Sequence, residues 1–184
     1  MPEFTADWFS TRIPGWKRFL AELKGQPVHC LEIGSFEGRS ALWLMENVCT
    51  HPDASLTCVD VWENADVQRR FDSNLSTKAD KIVALRGPSW QELKKLPELH
   101  YSFAYIDGCH EGLNVMEDAV LAFRLVKPGG LICFDDYKWR KPHRYRFPKD
   151  AIDPFLNLWG QEIELLEKKT QVWLRKSSRQ TRSA

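Results

Sequence analysis

Residues 28–44 read VHCLEIGSFEGRSALWL. A short apolar run (Val28, Cys30, Leu31, Ile33) ends around Glu32, Gly34 and Gly38, and a helix-like apolar segment follows over residues 41–48. Strand, glycine turn and helix make the first unit of a dinucleotide- or nucleoside-binding α/β fold. Glycines let the backbone pass close to a ligand, and the helix N-terminus presents free N–H groups. The spacing is E-x-G-x-x-x-G, with Phe36 where a dinucleotide fingerprint has glycine, which favours a ligand without phosphates. The competing reading is a tight strand-to-helix turn that binds nothing.

Outward from this stretch, strands and helices alternate. Ser55–Asp60 is a second strand ending in an acid, about two dozen residues past the glycine turn, where a carboxylate can accept both hydroxyls of a ribose. Trp62 follows, placed either to stack on an adenine or to pack in the core. A polar amphipathic helix over Ala65–Leu75 leads to a third strand over 81–86. Gly87-Pro88-Ser89 then opens a helix over 90–96, for which Ser89 is a good N-cap. Tyr101–Ile106 is a fourth strand running into Asp107-Gly108-Cys109-His110. Met116, Ala119, Val120, Phe123 and Val126 mark a helix over 113–126, which Lys127-Pro128-Gly129-Gly130 closes as a turn. A fifth strand over 131–134 ends in Asp135-Asp136. A short helix over 151–159 and a hairpin, 162–166 with 171–174, complete the chain. The alternation implies a mostly parallel, doubly wound sheet with helices on both faces, its ligands beyond the carboxyl ends of the strands.

The 184 residues suit one domain over 1–176 with a disordered basic tail over 177–184. Within it, residues 1–26 form an N-terminal helical segment whose spacing from Ile13 through Trp16, Phe19, Leu20 and Leu23 is helical. It packs on the sheet edge, caps the ligand cleft or, through its tryptophans, joins a homodimer. The net charge of +1 supplies no field for nucleic acid, and no run is long enough for a membrane span. Five cysteines without a CxxC pair argue against a disulfide framework and for a reducing, cytoplasmic setting. Between residues 138 and 149 six Lys/Arg residues and His143 are interleaved with Trp139, Tyr145 and Phe147, either a solvated loop or an attractor for an anionic or sugar-like small molecule.

Asp107, Asp135 and Asp136 fall at the ends of adjacent parallel strands, where three like charges repel unless a cation sits among them. An oxygen-only set suits Mg²⁺ or another hard divalent ion. The alternative leaves Asp107 capping the next helix and the other two facing water.

With these motifs assembled, the chain resembles the class I S-adenosylmethionine-dependent methyltransferases. Glu32–Gly38 is similar to their first motif, and a seven-stranded sheet with a C-terminal antiparallel hairpin is implied. IDGCH, LVKPGG and DDY further resemble the metal-dependent O-methyltransferases, in particular the macrocin-type group. That resemblance implies S-adenosylmethionine held by Glu32, Gly34, Ser35, Phe36, Gly38, Asp60, Trp62, Ser89 and Asp107. It also implies a metal on Asp107, Asp135 and Asp136, although Asp136 stands where the catechol-type enzymes have asparagine. His110 occupies the offset of their lysine base, and its ordinary pKa suits a general base. The expected reaction is methyl transfer to a hydroxyl of a small molecule, with Asp107 and His110 as the catalytic pair. The rivals are a non-catalytic cofactor- or protein-binding member of the fold and an NAD-dependent oxidoreductase.

Overall fold

The strand expected at the glycine turn forms as β1 (His29–Ile33) and takes the centre of a seven-stranded sheet in the computed structural model, which describes residues 1–141 and 146–178. On one side β2 (Ser55–Asp60) and then β3 (Ile82–Arg86) pair in parallel. On the other, β4 (Tyr101–Ile106) and β5 (Val126–Phe134) do the same. A hairpin of β6 (Ile163–Lys168) and β7 (Val172–Lys176) ends the chain, with β7 antiparallel to both β5 and β6. The order is β3-β2-β1-β4-β5-β7-β6. This is the doubly wound, Rossmann-like sheet the alternation predicts. His143, Tyr145 and the tail beyond 178 lie outside the described residues.

Period-two alternation divides the core between the two faces of the sheet. Cys30, Leu56, Cys58, Phe103, Tyr105, Leu131, Cys133 and Trp173 face α1 (Ile13–Phe19), α2 (Arg39–Asn47) and α3 (Ala65–Leu75). Leu31, Ile33, Val59, Ala104, Ile106, Ile132 and Phe134 pack in the second cluster, with α5 (Gly112–Leu125) and α6 (Pro148–Leu158). Burial on both faces explains why the central strands are nearly continuous apolar runs. Trp16 of α1 is fully buried and meets Phe9, Trp43, Phe103, Tyr105 and Trp173 edge-on, with centroids 4.7–6.0 Å away. It also donates from Nε1 to Gln171 Oε1 at 3.2 Å.

Several boundaries differ from the expectation. Lys127-Pro128-Gly129-Gly130 is not a turn ahead of the fifth strand but an irregularity inside β5. Val126 pairs with Tyr101 and Leu131 with Phe103, so five steps on one strand match two on its neighbour, and Gly129 at φ +80° absorbs the excess. α4 (Ser89–Glu92) is shorter than predicted and runs into a 3-10 turn at Leu93–Lys95. Its N-cap is Pro88, and Ser89 is the first helical residue, so the Ser89 hydroxyl makes no cap.

Two buried carboxyls lack a basic partner. Asp118 on α5 is 1% exposed, and neither of its oxygens has a partner at hydrogen-bonding geometry. Burial pushes its pKa up to about 7 against the pull of the neighbouring Ser89 hydroxyl. Glu32 is raised to about 7 for the same reason.

The fold generates two predictions. Trp16→Ala should cost about 3–5 kcal/mol, the range for emptying a large aromatic site, with α1 released from the sheet; chemical denaturation of the purified protein measures it. A carboxyl raised in the folded state binds its proton more tightly there than in the unfolded chain. Its contribution is therefore present below the ordinary carboxylate pKa and is lost as pH rises toward about 7. Asp118→Asn, a neutral mimic, should gain in Tm relative to the parent as pH rises through that window and level off above it. A Tm difference that stays flat from pH 4.5 to 7.5 would contradict the buried-carboxyl assignment.

Candidate active site

Three backbone rungs set the site. Gly34 N–H donates to Val59 O (2.8 Å), Asp107 N–H to Ile33 O (2.8 Å) and Asp135 N–H to Ile106 O (3.0 Å). The parallel ladders thus run one residue past the strands and lay Gly34, Asp107 and Asp135 side by side at their carboxyl ends. Gly34 has φ +87°, and a Cβ on it would lie 2.1 Å from the Asp107 carbonyl oxygen. Only glycine meets both demands.

The loop after β1 is held from β2. Asp60 Oδ2 accepts from the backbone N–H groups of Ser35 and Phe36, both at 2.9 Å, and Oδ1 from Trp62 N–H at 2.9 Å. Phe36 adopts φ +47°, unusual for a bulky residue, and Trp62 Nε1 donates to its carbonyl at 2.9 Å. Asp60 therefore shapes the loop expected to bind the cofactor. The Trp62 ring, 2% exposed and 4.6 Å from Phe71, lies in the core, so it offers no free face for a base to stack on. Ser35 Oγ and Glu32 Oε1 are buried without a partner at hydrogen-bonding geometry.

The N-terminal segment closes over this loop. Thr5 donates to Glu37 from N–H (2.6 Å) and Oγ1 (2.8 Å), Asp7 pairs with Arg39 (2.8 Å), and Trp8 lies against Phe36 (5.2 Å). Phe4, Trp8, Gly34, Ser35, Tyr105 and Asp107 line the cleft between them. The segment thus both packs, through Trp16, and roofs the strand ends.

The three aspartates expected to act together are held differently. Asp107 and Asp136 come together with His110, one ligand-capable atom of each within 4.8 Å of the others, while Asp135 is not part of that group. Asp136 sits at φ +55° with its carboxylate against His110 Nε2, and His110 packs on Trp139 at 4.8 Å. Asp135, 7% exposed, is enclosed by donors: Arg12 at 3.0 and 3.3 Å, Tyr105 Oη at 2.6 Å, Gln171 Nε2 at 2.8 Å and Asp136 N–H at 2.7 Å. Tyr105 Oη also stands 2.9 Å from Asp107 Oδ2.

Burial, then the charges of Asp135 and Asp136, raise the Asp107 pKa well above the carboxylate range. Burial, then the charges of Asp107 and Asp135, raise the Tyr105 hydroxyl well above its ordinary value, so it stays a donor at neutral pH. Ser89, at the start of α4, stands beside Asp118.

Arg12, Tyr105 and Gln171 complete the site without having been singled out in the sequence. Tyr105 had a signal: two residues before Asp107 in a strand, it shares that residue's face. Arg12 and Gln171 had none, being 123 and 36 residues from the Asp135 they contact.

A family model described as a methyltransferase domain matches residues 31–137, more than half of the chain. No curated protein matches the sequence. Among solved structures, the fold is similar to the O-methyltransferase TomG of Streptomyces achromogenes, solved with S-adenosylmethionine (16% identity, TM-score 0.71, 89% of this chain and 80% of that one). It is similar also to an rRNA methylase from Streptococcus thermophilus (14%, 0.68, 93% and 99%). A third is the MycE methyltransferase of the mycinamycin pathway, solved with Mg, S-adenosylhomocysteine and mycinamycin VI (15%, 0.66, 94% and 50%). At these identities the likeness establishes the fold, whereas the family match covers the glycine loop together with Asp60, Asp107, Asp135 and Asp136. The chain belongs to the methyltransferase-domain family and has the fold of the class I S-adenosylmethionine-dependent methyltransferases.

Proposed function

We propose that the protein transfers a methyl group from S-adenosylmethionine to a hydroxyl of a small molecule with the help of a divalent cation. The carrying observation is the convergence of Asp107, His110 and Asp136 in a pocket that shares Asp107 with the cleft beside the glycine loop. Family membership supports the cofactor. The unpartnered oxygens of Glu32 and Ser35 fit its cationic amino-acid end, and the loop of Gly34, Ser35, Phe36 and Gly38 fits its close approach. Asp60 has one lone pair left, on Oδ1, for a ribose hydroxyl. Ser89 and Asp107 border the bound nucleoside in this reading, and Trp62 contributes by fixing the Phe36 carbonyl. S-adenosylmethionine supplies an electrophilic methyl on a sulfonium.

Two carboxylates with room for water and substrate oxygen fit Mg²⁺ or Mn²⁺, so Asp107 and Asp136 are the proposed ligands. A cation there would acidify and orient a bound hydroxyl. Asp136 holds His110 as a carboxylate holds a catalytic imidazole, leaving His110 Nδ1 to take the acceptor's proton. Trp8 and Phe36 line the cleft and Trp139 packs on His110, apolar surface that suits a small aromatic or sugar-like acceptor. With net charge +1 and no helix among the described residues long and apolar enough to cross a membrane, neither nucleic acid nor bilayer is favoured as partner.

The reading predicts one-to-one binding of S-adenosylhomocysteine in calorimetry, unchanged by EDTA because the cation serves the acceptor. Gly34→Ala should weaken it at least about tenfold, since the new Cβ must displace the Asp107 backbone. Asp107→Asn should retain it. Absence of binding by the parent protein at millimolar ligand would move the assignment to a non-catalytic member of the family.

A further inference from the structure

Asp135 is the carboxylate the sequence pattern offers as a third metal ligand, and its surroundings point elsewhere. Its two oxygens face five donors. Oδ1 takes Arg12 Nη2 and the Asp136 N–H, while Oδ2 takes Arg12 Nε, the Tyr105 hydroxyl and Gln171 Nε2. A carboxylate has about four lone-pair directions, so none is left for a cation. The arrangement is built from distant parts of the chain. Gln171 is held by Trp16 and Trp173, each donating from Nε1 to Gln171 Oε1 at 3.2 Å. Arg12 closes the 3-10 turn that follows the segment roofing the cleft, and the Asp135 charge keeps its guanidinium firmly protonated despite burial.

We propose that Arg12 is a positioning residue that holds Asp135 out of the cation's coordination, so that the metal site is formed by Asp107 and Asp136 alone among the three aspartates. This rests on the metal reading given above. Two ligating carboxylates just neutralise a divalent ion. A third would leave the site net negative, which repels a developing acceptor oxyanion and tightens the ion's hold. Arg12 thus sets the strength of the metal site from the N-terminal segment.

The test uses Mn²⁺ as the probe, followed by loss of the free-ion signal in electron paramagnetic resonance, with S-adenosylhomocysteine calorimetry on the same samples. Asp135→Asn should leave Mn²⁺ affinity within about twofold of the parent. Arg12→Met should tighten it about tenfold or more, because freed Asp135 can turn to the ion. Arg12→Lys should return it toward the parent value, and Arg12→Met combined with Asp135→Asn should abolish the gain. A loss of about tenfold in Asp135→Asn alone would overturn the proposal, and that variant decides the matter even if removal of Arg12 prevents folding. Unchanged or weaker binding in folded Arg12→Met would overturn it as well. If no sample binds Mn²⁺ while S-adenosylhomocysteine still binds, the proposal falls with the metal reading and the cofactor assignment stands.

Discussion

The contact between Gly34 and the Asp107 carbonyl is the constraint from which the rest of the site follows. Parallel strands β1 and β4 are in register up to Ile33 and Ile106, and their chains leave the sheet together. A Cβ at Gly34 would sit 2.1 Å from the Asp107 oxygen, so the close approach exists only because that position has no side chain. The approach turns the glycine loop toward β2, where Asp60 collects its N–H groups, and presents Asp107 beside that loop. A nucleoside-binding turn and a carboxylate cluster thus become neighbours through backbone geometry alone.

Concentrating acids at one end of a sheet has an electrostatic cost, and the chain offsets it with local donors. Asp135 takes an arginine, a phenol, an amide and a backbone N–H. Asp107 stands beside the same phenol, and burial with the neighbouring carboxylates raises its pKa. Asp136 has an imidazole. The three aspartates therefore differ in availability despite being adjacent in space. An ion would meet its lowest competition at Asp107 and Asp136.

Much of this architecture was legible in the residues. Each central strand is an apolar run ending in an acid or glycine, and those runs gave β1, β2 and β4 with little displacement. The start of β5 was not legible, because Pro128, Gly129 and Gly130 carry the composition of a turn whether they end a helix or form an irregularity within a strand. Trp62 was ambiguous for a similar reason, since a tryptophan next to a ligand acid can stack or pack. Its inward direction follows from φ +39° and the Phe36 carbonyl, neither of which has a sequence signature. Arg12 was beyond reach: its role exists only because α1, anchored by Trp16, brings the preceding turn over the end of β5.

Asp60 shows why a residue's position and its role can part company. An acid at the end of β2 reads as a ribose ligand, and one lone pair remains for that purpose. Three others bind the backbone of Ser35, Phe36 and Trp62, so the carboxylate is also the part that bends the glycine loop. Phe36 is in a left-handed conformation that costs on the order of 1 kcal/mol or more, and a charge-assisted bond to its N–H offsets it. A loop held this way is ordered before any ligand arrives, which lowers the entropic cost of binding. Asparagine in place of Asp60 would supply one acceptor oxygen where two are used, forcing an N–H₂ group against a backbone N–H. The loop, more than the ribose contact, is what makes the acid necessary.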